Sequence, residues 1–382
     1  MRATYRAGGE RAFVHVRQGI RRTTGWRARC DEALISVGER WSRSVLAARG
    51  GRLQTVACGI AGTLLGMSTI SPVISQRSRL RGAIYGLLVG DALGVPYEFS
   101  SAEDLPKQNL IEMEPPPAFD RAHAGVPPGT WSDDGAQALH LLSVLLQGDV
   151  DIEGRLAQGL QSWLARGELT PDGRVFDIGI QTQEALSRLA RGVPANQSGL
   201  CEERSNGNGS LMRVLPAALV PAEGDHVLLD RARRQSLPTH GHTRSLLACS
   251  LSTLISARLL NGTGFIEALD QAQECLETMT IREERDELRV LLDGRLDPPS
   301  GSGYVVDCLW SSVAAVLRTR NFEDCVRTAI GFGNDTDTTA CVAGGWAGLL
   351  YGEEAIPLRW REQLRGKQLV EPLLQRLTDC WV

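Results

Sequence analysis

Residues 333–352 read Gly-Asn-Asp-Thr-Asp-Thr-Thr-Ala-Cys-Val-Ala-Gly-Gly-Trp-Ala-Gly-Leu-Leu-Tyr-Gly. The pattern predicts a helix from Thr338 to Tyr351, closed by Gly352. Within it Ala340, Ala343, Gly344, Ala347 and Gly348 recur at spacings of three and four, which places them on a shared face. Glycine inside a helix costs about 1 kcal/mol relative to alanine, so such a stripe is expected where another helix must come close. The helix is therefore read as central and buried. Its start, carrying Asp335 and Asp337, then lies at the heart of the fold.

The same helical style extends outward. Ala136–Gln147 is a short apolar helix behind Ser132-Asp133-Asp134, a sequence suited to an N-terminal cap and an acidic first turn. Ser245–Leu260 is another, ended by Asn261-Gly262, and Val305–Leu317 follows the pattern. Period-2 alternation with β-branched residues is nearly absent, so strands are not expected. Proline- and glycine-rich loops fall at 112–130, 167–177, 192–209 and 293–303. The reading is one all-α domain over residues 79–382, with its chemistry in loops and helix starts.

Residues 1–78 differ in kind. They hold 13 arginines against four acids, a net +9, so the remainder of a chain with net charge −4 carries −13. An acidic body excludes a general nucleic-acid surface, which needs a basic stripe. Leu53–Gln76 carries no charge, but Gly59, Gly62, Gly66 and Pro72 interrupt it, making it a poor membrane span. It also begins too late for a signal peptide, and the four acids dilute a transit-peptide reading. The segment is expected to be a poorly ordered extension, with Met67 an alternative start. Nine cysteines with no C-x-x-C pair fit neither a disulfide framework nor a zinc knuckle, and suit a reducing cytosol.

Two acidic clusters open apolar helices: Thr130-Trp131-Ser132-Asp133-Asp134 and Gly333-Asn334-Asp335-Thr336-Asp337-Thr338. Each alone reads as a helix cap. Together, with Glu98 of Gly90-Asp91-Ala92-Leu93-Gly94-Val95-Pro96-Tyr97-Glu98, they gather five carboxylates and several hydroxyls. Such a set repels itself without cations, and hard oxygen donors suit magnesium. Two ions there could clamp a substrate and activate a water. Asn206-Gly207-Asn208-Gly209-Ser210 is either a turn or a loop whose backbone N–H groups receive phosphate. Thr239-His240-Gly241-His242 could bind metal, cap the next helix or stack on a ligand; Tyr304 is core or a substrate platform, core being the ordinary outcome.

These blocks resemble the ADP-ribosylglycohydrolase family. The resemblance runs in order through RGAIYGLLVGDALGVPYEF (81–99), PGTWSDDGAQAL (128–139), FDIG (176–179), NGNGSLMRVLP (206–216), LPTHGHTR (237–244), SGYVVDCLW (302–310) and AIGFGNDTDTTACVAGGWAGLLYG (329–352), and does not reach residues 1–78. It implies an all-α catalytic domain around two Mg2+ ions, or Mn2+, that cleaves an N- or O-glycosidic bond to ADP-ribose. By motif it implies Ser132, Asp133, Asp134, Asp335, Asp337 and Thr338 as metal ligands and Glu98 and Asp134 as the proton-handling carboxylates. It further implies Gly207, Asn208, Gly209 and Ser210 at the diphosphate, His240 and Tyr304 at ribose and adenine, and Asp177 near the distal ribose. The implied partner is an ADP-ribosylated protein, arginine-linked as first choice, or a small ADP-ribose conjugate; the chain is expected to be a cytoplasmic monomer without membrane or nucleic-acid partners. A non-catalytic ADP-ribose binder and a di-metal hydrolase of another substrate are the alternatives. Two departures stand out: Asn334 where the family often has glycine, and Gly135 where threonine usually follows Asp-Asp.

Overall fold

The computed structural model describes residues 74–381. Residues 1–73 of the expected poorly ordered extension lie outside the described residues; Ser75 caps the helix Gln76–Gly94 and residues 76–78 form its first turn, so the helical part begins ahead of the expected boundary at residue 79.

Among the described residues twelve helices have nine or more residues. They are α1 (Gln76–Gly94), α2 (Asp133–Leu145), α3 (Ile152–Arg166), α4 (Ile180–Ala190), α5 (Asp225–Ser236), α6 (Thr243–Leu260), α7 (Phe265–Met279), α8 (Arg285–Asp293), α9 (Val305–Arg318), α10 (Phe322–Ile330), α11 (Thr336–Tyr351) and α12 (Lys367–Asp379). No strand is present among them, only three isolated bridges. The fold is all-α, as the periodicity implies. The loops read from sequence are loops, except for the single helical turn Ala195–Ser198 and a 3-10 turn at Gly294–Leu296.

Three helix starts fall two or three residues ahead of the apolar pattern, α6 opening at Thr243 instead of Ser245 behind its His242 cap. Helix α2 begins at Asp133 and α11 at Thr336, two to three residues ahead of their apolar stretches. Ser132 and Asp335 cap them, so the polar residues next to the cap are drawn into the first turn. The acids therefore stand on rigid helical backbone.

Helix α11 is enclosed by α1, α2, α6, α9 and α10. Trp346 is buried on it against Phe265 and donates Nε1–H to Ser256 Oγ at 2.9 Å. Its small-residue stripe meets a matching one on α1, where glycine recurs every fourth residue at 82, 86, 90 and 94. A Cβ at Gly82, Gly86 or Gly90 would lie 2.4, 2.3 or 2.1 Å from the carbonyl oxygen of Gly348, Gly344 or Ala340; one at Gly94 would lie 2.3 Å from Asp337 Cα. The two helices run antiparallel with backbone against backbone, and the end of α1 is driven onto the start of α11.

This contact admits no methyl group. Gly348→Ala, whose Cβ would fall 1.9 Å from the Gly82 carbonyl, is expected to lose about 2 kcal/mol or more to overpacking. Alanine's gain in helix propensity of about 1 kcal/mol does not offset that. Gly125→Ala, where a Cβ meets nothing within 4 Å, is expected to change stability by less than about 0.5 kcal/mol. Urea unfolding of the two variants checks this, and equal stabilities would disprove the close-contact argument.

Candidate active site

Helix α1 sets the start of α2 as well as that of α11. Asp91 follows Gly90 and is fully buried. Its carboxylate accepts the backbone N–H of Ser132 at 2.9 and 3.1 Å and that of Gly135 at 2.8 Å. Ser132 Oγ accepts from the Asp134 N–H at 3.2 Å. Two of the orphan donors of the helix start are thus satisfied from another helix. At Gly135 a Cβ would lie 2.7 Å from Leu88 Cδ2 and 2.8 Å from Trp131. The glycine leaves the start of α2 fully formed, and packing occupies the space of the missing side chain.

The start of α11 is held from three sides. Asn334 adopts φ 59°, which asparagine tolerates, after Gly333 at φ 81°. Its N–H donates to Ser100 O and its carbonyl accepts from Phe99 N, both at 2.7 Å. That pairing brings Glu98 beside α11. Asp335 Oδ2 accepts from Asn208 Nδ2 at 2.9 Å, which ties the glycine-rich loop to the acidic cluster. Thr338 Oγ1 lies 3.4 Å from Asp134 Oδ1, the direct link between the two acidic helix starts.

One oxygen each from Glu98, Asp335 and Asp337 fall within 4.8 Å of one another, as do atoms of Glu98, His123 and Asp177. Burial, foremost, and mutual repulsion push Asp133, Asp134 and Asp337 well above the ordinary carboxylate range. Glu98 is pushed up to about 11 by burial, then by Asp177, Asp335 and Asp134; burial also raises Asp177. Asp91 reaches about 7, burial outweighing the N–H groups that favour its charged form. Asp134 Oδ2 and Asp337 Oδ2 are buried with no hydrogen-bond partner. Buried oxygens left unpaired are costly, and a concentration of hard oxygen donors is what magnesium or manganese takes. The residues present fit a divalent-cation site. Ser132 Oγ and Asp335 Oδ1 are also engaged as the caps of α2 and α11.

A cavity of about 400 Å³ opens on this cluster; Ser132 and Asp337 are not among the residues that line it. Glu98, Asp133, Asp134, Asp177, Asp335 and Thr338 line it together with Gly207, Asn208, Gly209 and His240 and the segment 178–182. Ser210 is fully buried behind them and accepts from Ser236 Oγ at 2.8 Å. Tyr304 is not core: it is 38% exposed. Backbone pairing fixes it beside the loop, with Asn208 N donating to Gly303 O at 3.0 Å and Val305 N to Asn206 O at 2.9 Å. Its hydroxyl accepts from Arg244 at 3.1 Å. Of the two histidines, His242 caps α6 and His240 is buried against the glycine loop.

Several residues went unassigned from sequence. Asp91 had a visible signal, an acid inside the apolar run Leu87–Leu93. His123 had none; it lies in the loop at 112–130, 2.6 Å from Glu98 Oε2, with its ring between Phe99 and Phe176. Phe99, His123 and Asp177 all take positive φ near Glu98, a strain of order 1–3 kcal/mol each that collects at functional sites. Gln137 and Arg213 carry no motif signature of their own, yet connect Asp133 to the glycine loop.

Comparison with known proteins agrees with this architecture. The ADP-ribosylglycohydrolase family profile matches residues 72–381. An ADP-ribosylarginine hydrolase of Pseudomonas putida is 30% identical, covering 79% of this chain and 78% of its own. A protein of the same name from Serratia proteamaculans is 29% identical over 80% of each chain. The ADP-ribosyl-(dinitrogen reductase) glycohydrolase of Rhodospirillum rubrum is 28% identical over 80% of this chain and 96% of its own. A solved structure titled ADP-ribosylglycohydrolase-related protein complex superposes with TM-score 0.65 at 31% identity, covering 80% of this chain and 99% of that one.

The raised carboxylates have a consequence for stability. A carboxylate whose pKa is higher folded than unfolded stabilises the fold below its ordinary pKa. That contribution is lost as pH rises toward the folded value, about 7 for Asp91 and about 11 for Glu98. Cation binding needs the deprotonated forms. Added Mg2+ or Mn2+ is therefore expected to raise the Tm of the full chain more at pH 8 than at pH 5. At a hundredfold excess over Kd the gain is about 2.7 kcal/mol. Thermal melts with cation and with chelator measure it; a Tm indifferent to both at pH 8 would remove the metal assignment.

Proposed function

The chain belongs to the ADP-ribosylglycohydrolase family and is a glycosidic-bond hydrolase, and on that premise we propose that it removes ADP-ribose from modified arginine in proteins by cleaving the bond at the anomeric carbon. The observation that carries the reading is one cavity lined both by a dense set of carboxylates and by the glycine-rich loop. The carboxylates suit a sugar held through cations; Gly207 N–H and Asn208 N–H are given to Gln181 Oε1 and Gly303 O, so a diphosphate at the loop would be received by the N–H groups of Gly209 and Ser210.

Ser132, Asp133, Asp134, Asp335, Asp337 and Thr338 are the residues that would hold two Mg2+ or Mn2+ ions. When bound, such ions neutralise the carboxylates and polarise the oxygens of a sugar and a water. The protein's own part is orientation and proton handling. Asp335 is fixed by Asn208 and the Thr338 N–H, so the same loop that would meet the diphosphate also sets a carboxylate at the reacting sugar. Asp134 keeps one oxygen without a partner, and Glu98 faces the cavity with its other contact to His123. These two carboxylates are the candidates for moving the proton between water and leaving group.

Gly207 to Ser210 would lie along the diphosphate, Tyr304 and His240 along adenine and ribose, and Asp177 near the distal ribose. Glu98 and Asp177, which both line the cavity, offer carboxyl oxygens to the N–H groups of the guanidinium of an arginine acceptor. Two relatives at 29% and 30% identity carry that acceptor in their names. Among the described residues no helix is long and apolar enough to cross a membrane, and seven cysteines are free, in keeping with a reducing compartment.

Asp335→Ala and Asp337→Ala are each expected to lower magnesium-dependent release of ADP-ribose by at least about a hundredfold, about 2.7 kcal/mol of barrier. The assay is chromatography of products from ADP-ribosylated arginine, ADP-ribosylated serine and O-acetyl-ADP-ribose, with magnesium and with chelator. Arginine is expected as the preferred acceptor. Full activity in either variant would overturn the site, and release of phosphate instead of ADP-ribose would overturn the reaction.

A further inference from the structure

Arg213 is fully buried, yet no acidic side chain bonds to it. All its donors are used. Nε donates to Gln235 Oε1 at 3.0 Å, Nη1 to Gln137 Oε1 at 2.7 Å and Gly209 O at 3.1 Å, and Nη2 to Gln235 O at 2.8 Å and Thr239 Oγ1 at 2.7 Å. A guanidinium has five N–H donors and no acceptor. Every group it touches must therefore accept, and that sets the direction of the bonds beyond.

Two lines lead from it into the cavity. Gln137 accepts through Oε1, so its amide nitrogen faces the other way and donates to Asp133 Oδ2 at 2.8 Å. Thr239 Oγ1 accepts from Arg213 and has its own proton left to give; its other partner is His240 Nδ1 at 2.7 Å. A neutral imidazole that accepts at Nδ1 carries its proton on Nε2. His240 is held neutral, its pKa pushed down to about 3 by burial and then by the charge of Arg213. The ring lies against the glycine loop, with Nε2 3.2 Å and Cε1 2.8 Å from where a side chain at Gly209 would begin.

We propose that Arg213 is a positioning residue for the cavity at two points: through Thr239 it fixes His240 as the Nε2–H tautomer facing the glycine loop, and through Gln137 it directs an amide N–H onto Asp133. His240 then offers the cavity a donor and no lone pair. It recognises an oxygen acceptor of the ligand, a phosphate or a sugar oxygen, and is excluded as a metal ligand. The ligand side of this inference rests on the cavity being the ADP-ribose site; the tautomer does not.

The test uses the full chain labelled with 15N-histidine. His240 is one of six histidines, and its long-range 1H–15N signals are identified by their loss in His240→Gln. Wild type is expected to show the proton on Nε2. Thr239→Val is expected to mix or reverse the tautomers and weaken binding of free ADP-ribose about tenfold, the worth of one hydrogen bond of about 1.4 kcal/mol. Thr239→Ser is expected to restore both. A wild-type His240 protonated on Nδ1 would overturn the inference, whether or not Thr239→Val folds. A Thr239→Val protein with unchanged tautomer and affinity would overturn it too. A wild-type chain with the expected tautomer that does not bind ADP-ribose would overturn the proposed function and leave the His240 assignment standing.

Discussion

The structure depends on two helices whose backbones touch. With glycine at every fourth position of α1 and small residues opposite, α1 and α11 approach until carbonyl oxygens occupy the space of side chains. Close-packed interiors do not adjust continuously, so this contact fixes the two helices in register. The end of α1 lies on the start of α11, which places Glu98, a few residues beyond Gly94, beside Asp335 and Asp337. One turn earlier, Asp91 reaches across to the start of α2 and brings Asp133 and Asp134 to the same point. A single helix thus aligns both acidic helix starts, and the backbone N–H groups there favour the negative charge they carry.

What the packing assembles, electrostatics opposes. Carboxylates that would ionise freely in water are gathered where burial and their neighbours raise their pKa values. The frame holds them regardless, because their backbones belong to capped helices wedged into the core. The result is a set of preplaced hard donors in place of a loop that must be ordered at each turnover. The acidic total of the catalytic part has the same origin: part of the −13 on residues 79–382 is this cluster.

Much of the candidate site was legible because it is written in short motifs. Ser132-Asp133-Asp134 and Asp335-Thr336-Asp337-Thr338 announce themselves by acids and hydroxyls ahead of apolar runs, and the structure brings both to the cavity with Glu98 and the Gly207–Ser210 loop. His123, Gln137 and Arg213 were not legible. His123 reaches Glu98 from a proline-rich loop by tertiary packing alone. Arg213 matters only because three chain segments, at Gln137, Gly209 and 235–239, converge on its guanidinium. Tyr304 reads from the residues alone as core or a substrate platform, with core the ordinary outcome, and the family resemblance implies the second. It is 38% exposed, and its neighbours Gly303 and Val305 pair with Asn208 and Asn206 beside the glycine-rich loop.

The amino-acid sequence determined the helical class, the caps, the acidic clusters and the small-residue face of α11, because each is a local pattern that backbone geometry turns directly into structure. It did not determine which helix meets that face, which oxygens remain without partners, or which tautomer His240 holds. Those depend on groups more than 20 residues apart being brought within hydrogen-bond distance. Only the closure of α1 onto α11, and of the loops onto both, settles them, since a hydrogen-bond network acquires its direction when every donor and acceptor is in place.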